Sequence, residues 1–143
     1  MLKRLLFPFL FATLAITMGH ALDHPSSKVV IPVGRTSPAD GKQMFTSYCA
    51  PCHGADGRGN GYAASALRVV PTDLSNLTMV NKGKFPDSHL VSVLRFGADG
   101  SKHGTAQMPE WGPIFASMNR VNPMDREQRM SNLVEYVRTL QVR

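Results

Sequence analysis

Apolar residues recur at helical spacing in three stretches of the chain, and polar segments rich in Gly and Pro separate them. In the first stretch Met44, Phe45 and Tyr48 share a face, with Gly41 one turn before Phe45. Ser37-Pro38-Ala39-Asp40 precedes it and reads as a helix start, with a Ser N-cap, Pro at the first helical position and an acid three residues after the cap. A Gly on that face suits the close approach of another helix. The second stretch, Pro86 to Phe96, places Leu90, Val91, Val93 and Leu94 on an apolar face and stops at Gly97. The third starts at Asn122-Pro123-Met124-Asp125, again an N-cap followed by Pro. Met130, Leu133, Val134, Val137 and Leu140 form its stripe, with Tyr136 beside it.

The intervening segments read as loops and turns. Residues 22–36, with Pro25, Pro32 and Gly34, form an extended N-terminal arm. Gly54-Ala55-Asp56-Gly57-Arg58-Gly59-Asn60-Gly61 is a glycine-rich loop, but its glycine order is not that of a phosphate-binding loop and no Lys-Ser or Lys-Thr follows. Tyr62 to Leu67 reads as a short helical turn, and Val69 to Leu74 as an extended piece entering a further turn that Thr72 or Asp73 can cap. Ala98 to Gln107 is polar. In Met108-Pro109-Glu110-Trp111-Gly112-Pro113, Pro109 keeps Met108 out of helical geometry and stiffens the segment.

Residues 1–21 have the pattern of a secretory signal: Lys3 and Arg4, then 14 uncharged residues from Leu5 to Met18, then Gly19-His20-Ala21. The expected cut follows Ala21. As a helix the apolar run spans about 21 Å against a hydrocarbon core of about 30 Å, and Pro8 interrupts it, so an uncleaved anchor is the alternative reading. Without Lys3 and Arg4 the chain keeps 14 basic residues against 10 acidic ones, a formal +4. The cations are dispersed and no basic stripe carries interleaved aromatics, which argues against nucleic acid. A mildly basic surface is compatible with an acidic protein partner, and equally with ordinary solvated charge.

Both cysteines of the chain lie in Cys49-Ala50-Pro51-Cys52-His53. C-x-x-C-H is the attachment pattern of a c-type haem: the two thiols add to the two vinyl groups on one edge of the macrocycle, and the next residue, His53, then lies under the iron as proximal ligand. Three other readings compete. A thioredoxin-like thiol pair expects a βαβ context, which the sequence lacks. Zinc needs four ligands; His20, His24, His53, His89 and His103 are scattered, and the one pair at H-x3-5-H spacing, His20 and His24, has its first member inside the expected signal segment. A disulfide closing so short a loop adds little stability.

From about Ser37 to Leu140 these features resemble class I cytochromes c. The resemblance implies an all-α cytochrome c fold, three to five short helices wrapped around one covalently bound haem, in a domain covering residues 37–143. Gly41 and Phe45 match the positions at which the first helix of that family crosses the last, and Leu133 and Tyr136 match their partners. Met108 followed by Pro109 matches the segment that supplies the sixth iron ligand. Pro71 resembles the proline whose carbonyl accepts from the proximal imidazole, although the loop separating it from His53 is longer than in the mitochondrial proteins.

The sixth ligand has rivals. His103 is the main one, since bis-His haem is ordinary chemistry. Met79, Met118 and Met124 are others, while Met44 and Met130 read as helix core. With both axial positions filled, the expected work is one-electron transfer in the periplasm, exchanging electrons with respiratory-chain complexes and involving membranes only through them or through a retained signal segment. Alternatives are an electron-transfer subunit of a dehydrogenase or oxidase, a haem enzyme with a labile distal ligand, and a thiol-disulfide oxidoreductase.

Overall fold

The computed structural model describes residues 30, 32–97, 108–119 and 122–142. The signal segment, most of the arm and His103 lie outside the described residues. Helix α1 (Gly41–Met44) continues through a π-helical turn, Phe45–Cys49, into α2 (Ala50–His53), so that one helical body runs into the haem motif. It starts later than its sequence suggests. Asp40 is the N-cap, its carboxylate accepting from the Gln43 N–H at 2.8 Å, while the Ser37 hydroxyl accepts from the Ala39 N–H in a turn before the helix. The wider turn ends with the Ala50 N–H donating to the Phe45 carbonyl. Met44, Phe45 and Tyr48 all face inward and are at most 1 % exposed, whereas Thr46 and Ser47 face solvent.

Two short 3-10 turns, Ala64–Ala66 and Leu74–Asn76, lead to α3 (Leu77–Val80), and then come α4 (Asp87–Phe96), α5 (Trp111–Met118) and α6 (Met124–Thr139). The described residues contain no strand, and the fold is all-α. Asp73 caps the second 3-10 turn through the Ser75 N–H at 2.8 Å, as its sequence suggested. Leu90 and Leu94 of α4 are buried, Val91 and Val93 half-buried, and Gly97 at φ 82° ends the helix. Helix α5 was not expected, because Met108 to Pro113 reads as one stiff segment held out of helical geometry at Pro109. Gly112 and Pro113 fall in its first turn, where proline has no intrahelical hydrogen bond to lose, and Gly112 brings the turn against the Arg95 carbonyl of α4.

Helix α6 crosses α1 at Gly41. A Cβ there would lie 2.1 Å from the Asn132 carbonyl oxygen and 3.1 Å from the Tyr136 Cβ, so only glycine permits this approach. The Phe45 and Tyr136 rings meet next to it, with centroids 5.2 Å apart. Of the two expected partners Tyr136 touches the glycine, but Leu133 turns into the core, and the Asn132 backbone takes its place. Met130, Leu133, Val134 and Val137 are buried against Phe45, Tyr48, Leu90, Leu94, Trp111 and Phe115. Beyond α6, Gln141 accepts from the Thr78 N–H and donates to the Leu74 carbonyl, both near 2.7–2.8 Å, tying the end of the chain to the 74–78 segment. No helix among the described residues is long and apolar enough to cross a membrane.

Candidate functional site

Cys49 ends the π-helical turn, Cys52 and His53 lie in α2, and Gly54 at φ 80° turns the chain away. All three side chains line one cavity. Its other walls are largely apolar, with Phe45 and Leu133 from the crossing helices, Leu74 and Leu77 from the second turn and α3, and Leu90, Val93 and Leu94 from α4. Burial, with Cys52 close by, pushes the Cys49 thiol up to about 12, and burial also raises Cys52. Such thiols stay protonated at neutral pH. A thiol-disulfide enzyme needs the opposite shift, toward a stable thiolate.

The Nδ1 of His53 lies 2.9 Å from the Thr72 carbonyl oxygen. A carbonyl can only accept, so this contact places the ring proton on Nδ1 and leaves the Nε2 lone pair for a metal. Burial lowers the imidazole pKa, and the Thr72 carbonyl opposes that shift. The lowered pKa favours the neutral imidazole, the form able to bind a metal. The acceptor is one residue away from the expected one. Pro71 lines the cavity, but its carbonyl faces the glycine-rich loop, where a Cβ on Gly59 would lie 2.3 Å from the Pro71 oxygen. Gly59 at φ 79° and the Leu74 N–H bound to the Gly57 carbonyl at 2.7 Å press the two segments together, which aims the next carbonyl at His53.

Met108 is half-buried and lines the same cavity. Among the described methionines it alone does so: Met44 and Met130 are core, Met79 and Met124 are 66 % and 69 % exposed, and Met118, the last residue of α5, packs against the core without reaching the lining. Among the cavity residues that carried no assignment in the sequence, two have ring nitrogens. His89 of α4 and Trp111 of α5 both reach the lining. The i+4 spacing of His89 to Val93 and of Trp111 to Phe115 was the available signal for each. The described residues contain no cluster of three or more His, Cys, Asp or Glu that could hold a metal ion by themselves.

Two thiols and a neutral imidazole on one helical body, a thioether across the lining and apolar walls between them fit a covalently attached haem. The helical architecture around this donor set defines a small haem protein of the electron-transfer class. The family model for Cytochrome c matches residues 38–141, and the chain belongs to that family. Membership implies haem c as prosthetic group and haem-based electron transfer as its work. Among curated proteins the comparison finds no significant match.

Proposed function

We propose that the protein is a periplasmic one-electron carrier whose haem iron is held by His53 and Met108, and that it exchanges electrons with respiratory-chain complexes through partners with acidic docking surfaces. The observation that carries this reading is the cavity shared by Cys49, Cys52, His53 and Met108. The haem supplies a one-electron couple when bound. The chain's own residues do the rest. Cys49 and Cys52 fix the group covalently, the Thr72 carbonyl orients His53, and the leucines and valines of α3, α4 and α6 keep water from the couple. A thioether as second ligand favours the ferrous state relative to a second imidazole and so raises the potential. The absorption spectrum of periplasmically matured protein tests the reading. A low-spin ferric haem with a sulfur-to-iron charge-transfer band is expected, and a high-spin ferric spectrum would replace the carrier by an enzyme with an open distal site.

A further inference from the structure

Arg129 of α6 is 4 % exposed, yet none of its partners is a carboxylate. Its guanidinium donates to the Thr36 hydroxyl at 2.9 Å, the Thr36 carbonyl at 2.7 Å and the Met44 sulfur at 3.6 Å, and its Nε has no partner. Burying a cation among neutral acceptors is costly, and the helix crossing at Gly41 does not require it. The bonds continue in one direction. The Thr36 hydroxyl lies 2.9 Å from that of Tyr48, which donates in turn to the Gly34 carbonyl. Arg129, Thr36 and Tyr48 thus stitch the last residues of the N-terminal arm onto the core, at the residue immediately before Cys49.

The other side of this node faces the distal segment. The Tyr48 ring stacks on Trp111 with centroids 5.3 Å apart and planes at 28°, and Phe115 completes the cluster at 6.1 Å from Tyr48 and 5.5 Å from Trp111. The Arg129 guanidinium lies 5.9 Å from the Phe115 ring centroid. Trp111 opens α5 three residues after Met108, and the residues between them, Pro109 and Glu110, form no helix. A stiff three-residue lever therefore joins the stacked indole to the thioether.

We propose that Tyr48, held by Thr36 and Arg129, is a positioning residue for Met108: by fixing Trp111 it keeps the thioether at its post, and Gly34 and Thr36 of the arm are thereby part of the haem site. The proposal rests on Met108 being the sixth ligand. The test is the rate at which imidazole binds the ferric holoprotein, since an external ligand enters only while the thioether is off the iron. Tyr48→Phe keeps the ring and its stack and removes only the hydroxyl. It should speed imidazole binding about tenfold, the equivalent of one lost hydrogen bond, with covalent haem and the low-spin spectrum of the resting protein retained. Thr36→Val, which leaves Tyr48 itself intact, should act in the same direction and carries the test alone if Tyr48→Phe does not mature. Unchanged imidazole rates, even with lowered global stability, would reduce the node to a structural tether and overturn the proposal. Met108→Ala separates the two readings. If it leaves imidazole binding as slow as in the parent, the ligand assignment has failed, whatever the Tyr48 variant shows.

Discussion

The Nδ1 of His53 and the carbonyl oxygen of Thr72 are 2.9 Å apart, although the two residues lie 19 positions apart in the chain. The glycine-rich loop brings them together, and its contact with Pro71 sets which carbonyl faces the ring.

Gly59→Ala tests that contact. The new Cβ would meet the Pro71 oxygen at 2.3 Å and sit at φ 79°, so steric overlap adds to left-handed strain. Gly83 has φ 83° and nothing within 4 Å, so Gly83→Ala carries the strain alone. Chemical denaturation of the holoproteins should show a loss of about 1–2 kcal/mol for Gly83→Ala and a distinctly larger one for Gly59→Ala. Equal losses would mean that the loop does not press on the 71–72 segment.

At the helix crossing the clash is with backbone, so even the smallest side chain should be felt. Gly41→Ala places its Cβ 2.1 Å from the Asn132 carbonyl. A destabilisation of about 1–3 kcal/mol is expected with haem in place, and Gly41→Leu should be worse. Parent-like unfolding of Gly41→Leu would show that α1 and α6 do not cross there.

Cys49→Ala combined with Cys52→Ala should yield a largely unfolded, haem-free chain. The walls contributed by Leu74, Leu77, Leu90 and Val93 would lose the apolar body they pack on, and the short helices cannot close that gap themselves. Far-ultraviolet circular dichroism checks it. A cooperative thermal transition with native helix content in the double mutant is the contrary result.

Replacing Met108 by Ala should abolish the sulfur-to-iron charge-transfer band, open the distal face to imidazole and lower the reduction potential, with the haem still attached. His103→Ala is the necessary companion, because residue 103 lies outside the described residues. If the histidine variant is the one that opens the site, the ligation is bis-His and the high-potential role is lost.

The C-x-x-C-H motif was legible in the sequence because its geometry is contained within five residues of helix, and so were the stripes of α4 and α6, whose signal is the 3.6-residue period itself. The Gly41 crossing could be placed to within one residue of its partners for the same reason. What lay beyond the sequence depended on which groups meet once the chain is folded. Whether Asp40 or Ser37 caps the first helix was decided by Gln43, whose side chain binds the Ser37 N–H at 3.0 Å while its own N–H takes the Asp40 carboxylate. The stiff segment ending in Gly112-Pro113 proved to contain a helix start, since the packing of α5 on α4 favours helix where local propensity does not. The choice of Thr72 over Pro71 turned on a one-residue register set by Gly59. Arg129 and Thr36 are 93 residues apart, and no periodicity in either segment announces that they meet. Local spacing determined which residues can carry the chemistry, and tertiary packing decided which atoms face one another, because a hydrogen bond is sensitive to tenths of an ångström that only the assembled fold defines.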